Sequence, residues 1–162
     1  MSATMDGGGG AGLSVPAAAD LAGPVEAAVD DFSELAGLAA QLASIGERGS
    51  ASEVLALACA ALAEAVETAG IQLGGAPRLN VEAVPLHELA GAVGAEGLYR
   101  LVRSALSLAL GDQGQRHVVE SFLEAAGVRG AGELSDSELV GAVLRYLAES
   151  AAASLALLGG SG

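Results

Sequence analysis

The chain has 162 residues, enough for one domain with a buried core, and 52% are apolar, yet 36 of these are alanine and only two are phenylalanine. No lysine occurs, and seven arginines stand against twenty carboxylates; the net charge of −13 repels phosphate and argues against DNA, RNA or an anionic membrane surface as a direct partner. The missing lysine excludes a Walker-type P-loop, a pyridoxal Schiff base and a kinase phosphate lysine, and no G-x-S-x-G elbow surrounds any serine.

Residues 1–14 include Gly7, Gly8, Gly9, Gly10 and Gly12 and are expected to form a disordered tail. The run formally fits G-x-G-x-x-G, but no strand precedes it, so it does not read as a nucleotide site. Pro16 opens a short helical turn over 16–22. Pro24 then suits the first position of a helix to about Gly46, with Val25, Val29, Phe32, Ala39 and Leu42 in one stripe and Asp30, Asp31 and Glu34 turned outward. After a loop at 47–49, Ser50-Ala51-Ser52-Glu53 reads as a capping box opening a second helix. That helix carries Leu55, Cys59, Leu62 and Val66 on its inner face and stops at Gly70. A short connection makes the pair an antiparallel hairpin.

The pattern lapses over 71–84, where Gly74, Gly75 and Pro77 mark an extended linker and a possible waist between the halves. Pro85 precedes a helix over 86–93. A stronger one from Glu96 carries Leu98, Leu101, Val102, Ala105 and Leu108, and Gly94 and Gly97 kink or separate the two pieces. Gly111 ends this unit. Asp112 caps a further helix that places Val118, Phe122 and Ala126 inward, and Gly127, Gly130 and Gly132 lead on to Ser135. Ser135-Asp136-Ser137-Glu138 is a second capping box. The stripe after it, Leu139, Val143, Leu147, Ala151, Leu155 and Leu158, is the longest in the chain. The expected fold is all-α: five or six alanine-slimmed helices in one domain over 15–158, with a flexible end at 159–162.

Residues 118–149, above all Ser135-Asp136-Ser137-Glu138-Leu139-Val140, resemble the helix pair of ribbon-helix-helix regulators over about a fifth of the chain. Residues 104–115 hold no arginine or lysine for a DNA-reading strand, so the resemblance implies no function here.

Cys59, the single cysteine, excludes an internal disulfide or a cysteine-built zinc site and reads as a small buried hydrophobe. A di-iron bundle site needs Glu-x-x-His on two helices. The residues three before His87 and His117 are Val84 and Gly114, so no metal or other cofactor is expected. His117 and Glu120 share a helix face, which suits a surface contact.

Tyr99, Arg100 and Arg103, with Arg116 and His117 further on, form the cationic and aromatic concentration. They serve either as partners for acids of the first half or as a patch for an acidic ligand. Residues 1–97 hold thirteen acids and two arginines, residues 98–162 seven and five, so the excess of acid lies in the first half.

The expectation is a cytoplasmic, non-enzymatic helical module, without a signal peptide or membrane span, that binds another protein or itself. Candidate interaction residues are Asp30, Asp31, Glu34, Tyr99, Arg100 and Arg103. The alternative is an acidic inhibitor of the immunity or antitoxin type covering a basic partner.

Overall fold

In the computed structural model, residues 21–71 and 79–159 are described. The tail expected at 1–14, most of the turn expected at 16–22, the centre of the linker and residues 160–162 lie outside them. The described residues form five α-helices and no strand: α1 (Gly23–Ser44), α2 (Arg48–Ala69), α3 (Leu86–Ala109), α4 (Arg116–Ala125) and α5 (Asp136–Gly159). Two short 3-10 turns, Gln113–Gln115 and Ala131–Glu133, precede α4 and α5.

The stops follow one rule. Gly46, Gly70, Gly111 and Gly127 all have positive φ, and each helix before them closes with a pair of backbone bonds reaching back three and five residues, as in Gly70 to Glu67 and Ile71 to Val66. The Ser135 box forms as its sequence implies. The Glu138 amide donates to Ser135 Oγ at 3.1 Å, and the Ser135 amide donates to a Glu138 carboxylate oxygen at 2.9 Å.

The Ser50 box does not form. α2 begins at Arg48, with the Ala51 amide donating to the Glu47 carbonyl, so Ser50 lies within the helix. The Arg48 guanidinium donates to the Leu157 carbonyl near the end of α5, a tertiary tie that holds the earlier start. α4 also differs from expectation: Val119 and Leu123 are its buried residues, while Val118, Phe122 and Ala126 are half-buried. The helix is turned by about one residue, which brings the Phe122 ring edge-to-face against Tyr146 at 5.4 Å.

α1 packs on α2 and α3, and α5 packs on the other sides of α2 and α3, so the four long helices form a ring. α4 lies over α3 and α5. Ser44, Arg48, His87 and Leu158 gather at one end of the ring, and Ile71, Leu110, Gly111 and Ser137 at the other. The helices therefore run antiparallel to their neighbours in the order up, down, down, up. α3 bends where it was expected to: Gly94 sits at φ 79 and ψ 162 between two helical pieces. Gly37 of α1 faces this bend, where an added Cβ would lie 3.1 Å from that of Ala95.

This order puts the end of α2 and the start of α3 at opposite ends of the bundle. Ile71 and Val84, described residues on either side of 72–78, both lie against α5. Ile71 lies beside Ser137 and Val140, Val84 reaches Tyr146 and Ser150, and His87 reaches Ser154. The Val84 amide donates to Tyr146 Oη at 3.0 Å, Ser150 Oγ donates to the Val84 carbonyl, and the His87 amide donates to Ser154 Oγ at 2.8 Å. Spacing by four puts the three hydroxyls on one face of α5, and all three residues are buried. The core otherwise follows the expected stripe: Leu139, Val143 and Leu147 are fully buried and Ala151 and Leu158 nearly so, whereas Leu155 is half-buried.

Two variants test this arrangement by chemical denaturation. Leu147→Ala should cost about 2–5 kcal/mol, through lost burial plus the cavity left behind; a negligible loss would place Leu147 outside the core. Tyr146→Phe keeps the ring but orphans the Val84 amide, for a cost of about 1–3 kcal/mol; wild-type stability would show that this bond fixes nothing.

Candidate functional site

Tyr99 and Arg103, one turn apart on α3, meet Glu26 in the first turn of α1. The phenol donates to Glu26 Oε2, and Arg103 Nε lies 3.1 Å from the same oxygen and 3.3 Å from Oε1. The Tyr99 phenol is pushed above its ordinary range, first by that hydrogen bond, then by partial burial and the Glu26 charge, with Asp30 adding to the effect. Arg100 points elsewhere, in an exposed pair with Glu96 at 3.5 Å. Arg116 stands apart and bridges Glu120 at 2.5 Å and Asp136 at 2.7 Å, with the Gly132 and Leu134 carbonyls completing its fork. His117 is exposed on α4 beside it.

The cationic concentration in the sequence is thus divided among three places. Tyr99 and Arg103 staple α1 to α3, Arg116 holds the connection into α5, and Arg100 faces solvent. Glu26 completes the staple and was not singled out from sequence. The signal for it was the four-residue spacing of Tyr99 and Arg103, which puts a phenol and a guanidinium on one face and requires an acid opposite. Asp30, Asp31 and Glu34 are exposed on α1, and among the described residues neither Asp31 nor Glu34 has a side-chain hydrogen bond or ion pair.

The two imidazoles sit near opposite ends of α5. His87 Nδ1 lies 2.6 Å from Ser154 Oγ, and Nε2 lies 4.0 Å from a Glu88 oxygen. Ser154 is fully buried; its oxygen accepts the His87 amide and lies within hydrogen-bond distance of Nδ1, so it ties the first turn of α3 to α5. Among the described residues no cluster of three His, Cys, Asp or Glu side chains is placed to hold a metal ion.

A groove of about 670 Å³ lies between α2 and α5. Leu62 and Val66 form one wall, Leu144, Leu147, Ala151 and Leu155 the other, and Phe32 of α1 reaches its floor. Its polar members are the Glu67 carboxylate and the Cys59 thiol. Cys59 was expected on the buried stripe; it is half-buried and lines this groove, because Ala58, Leu62 and Ala65 carry the inner face of α2. Burial raises the thiol's pKa, so at neutral pH it is protonated and a poor nucleophile. Leu57, also on α2, is 59% exposed.

By length and mean hydropathy α2 and α5 are each apolar enough to cross a membrane, a property that buried core helices share. No family model matches the chain, and no curated protein or solved structure matches it either.

The Tyr99 to Glu26 bond carries a sign that can be measured. A phenol whose folded pKa is raised stabilises the fold while it is protonated, and loses that contribution as pH rises through the ordinary tyrosine range near 10 and beyond. Tyr99→Phe should therefore cost about 1 kcal/mol or less near pH 7, since the pair is part-exposed, and the gap to wild type should narrow as pH rises through and beyond the ordinary tyrosine range. A gap that widens with pH would remove the bond from the account.

Proposed function

We propose that the protein is a non-enzymatic helical interaction module that receives a protein partner in the groove between α2 and α5. The observation that carries this reading is an apolar trough of about 670 Å³, walled by two helices, with one carboxylate and one protonated thiol among its lining groups. A small-molecule site orients its ligand with several convergent polar groups, and a catalytic site needs an acid, a base or a nucleophile beside the space for substrate. A helix-walled apolar trough suits side chains of another polypeptide.

Alanine-lined faces would let two copies dock closely, but they are largely used inside the chain: Ala28, Ala36 and Ala39 of α1 and Ala51, Ala58 and Ala65 of α2 are all buried. A homo-oligomer is therefore the weaker form of the reading, and a different protein the stronger. A second reading rests on α1, where the exposed carboxylates of Asp30, Asp31 and Glu34 offer an acidic face to a basic partner, as an inhibitor of the immunity or antitoxin type would.

Affinity capture with the full chain separates the two. Ala148 lines the groove and is exposed, so Ala148→Trp fills the trough without entering the core. Proteins captured by wild type should be lost with Ala148→Trp and kept by the triple variant Asp30→Asn, Asp31→Asn, Glu34→Gln. The reverse pattern would move the function to α1, and capture indifferent to both would reject both readings.

A further inference from the structure

Among the described residues, one groove of the bundle is filled and one is not. α4, ten residues long, lies over α3 and α5 and sinks Val119 and Leu123, which are fully buried. The Phe122 ring meets Tyr146 edge-on, and Arg116 at the start of α4 pairs with Asp136 of α5 at 2.7 Å. Across α5, the groove against α2 has the same construction and no helix of the described chain in it. Its α5 wall runs from Leu144 to Leu155, about 16 Å at 1.5 Å per residue, against about 15 Å for the ten residues of α4.

The charge around the empty groove is one-sided. Glu67 lines it, and Glu53 and Glu64 are exposed on the same helix. The only cation of α2, Arg48, is committed to the Leu157 carbonyl. On α5 the nearest charges, Arg145 and Glu149, pair with one another at 3.2 Å. A second copy would bring acid against acid here, since the outward face of α1 carries Asp30, Asp31 and Glu34 and that of α2 carries Glu53 and Glu64. The described arginines of a second copy are also largely occupied: Arg48, Arg103 and Arg116 hold its own fold.

From the filled groove as pattern and the charge as selector, we infer that the occupant is a basic amphipathic helix of another protein, about three turns long. Its leucine-type anchors enter between α2 and α5 as Val119 and Leu123 enter on the other side, and a lysine or arginine reaches Glu67. The inference rests on the groove being the interaction site, and it adds the occupant's shape and charge.

Three synthetic peptides of about 16 residues test it, sharing a leucine stripe at helical spacing and differing only in lysine, glutamine or glutamate on the polar face. Binding to the full chain is read by fluorescence anisotropy. The lysine peptide should bind at least about tenfold more tightly than the glutamine peptide, and the glutamate peptide more weakly still. Glu67→Gln should weaken the lysine peptide about threefold to tenfold, Ala148→Trp should abolish its binding, and the triple α1 variant should leave it within about twofold. Ala152→Met, at a second exposed lining position, repeats the blocking test if the tryptophan variant loses its cooperative melt.

Equal binding of the lysine and glutamine peptides would overturn the basic occupant while leaving the groove as the interaction site. Loss of binding on the α1 variant equal to that on Glu67→Gln would reduce the effect to net charge and overturn it too. Sedimentation that shows a dimer broken by Ala148→Trp would give the groove to a second copy and end the proposal. Retention of the lysine peptide by both blocking variants would remove the groove itself.

Discussion

Three hydroxyls on α5 decide where the second half of the molecule begins. A chain that finishes α2 at one end of the bundle and starts α3 at the other must cross it, and a crossing segment laid against a core helix brings backbone groups that need partners. Tyr146, Ser150 and Ser154 supply them for the Val84 amide, the Val84 carbonyl and the His87 amide. Pro85 falls between: it has no amide to satisfy, and its own carbonyl accepts from Glu88 and Leu89 to begin α3. A crossing segment slid by one residue would present a different set of donors and acceptors to the same hydroxyls. The ladder therefore sets the register of α3 against α5, and through α3 the bend at Gly94, the staple to Glu26 and the seat of α4.

The ladder was the least legible part of the sequence. Serines at 150 and 154 in an alanine-rich helix look like solvent-facing positions, because composition cannot distinguish a hydroxyl in water from one that caps another segment. The parts that were legible are governed by neighbours within a few residues. The Ser135 box, the glycine stops and the bend at Gly94 each depend on local backbone chemistry, and each appears where the pattern put it. The Ser50 box has the same local signature and fails, since Arg48 finds the Leu157 carbonyl more than a hundred positions away and α2 starts three residues sooner. α4 shows the same limit: its ten residues allow two plausible inner faces, and contact with Tyr146 selects between them.

For the candidate site, apolar periodicity identified the residues that shun water and could not say which of them have something to shun it with. Cys59 and Val66 read as core because their stripe is apolar, yet they border a groove, since the next helix along the ring sits too far round to cover them. The charged residues divide in a similar way. The sequence joined Tyr99, Arg100, Arg103 and Arg116 by proximity along the chain; the fold separates them by helix face and spends Arg103 and Arg116 on its own acids. Two of the cations are thereby consumed in holding helices together, and the surface keeps an excess of carboxylate. The acidic charge is in this sense a product of folding as much as of composition.

α2 and α5 make the clearest comparison in the molecule. Both are long and apolar enough to pass for membrane spans, but 61% of the apolar window of α5 is buried against 28% for α2. The apolarity of α5 is accounted for by position: α2, α3, α4 and the crossing segment all pack on it. α2 touches mainly α1 and α5, so its inward alanines explain only one side of the helix. The side left over carries Val66 and Cys59 along the groove and Leu57 beyond it, flanked by Glu53, Glu64 and Glu67. Three carboxylates on an otherwise apolar helix suit an aqueous face better than lipid, where each would need a partner that α2 does not provide. An apolar surface that is neither buried by its own fold nor free of charge has the composition of a contact made in water, with a hydrophobic centre and an acidic margin.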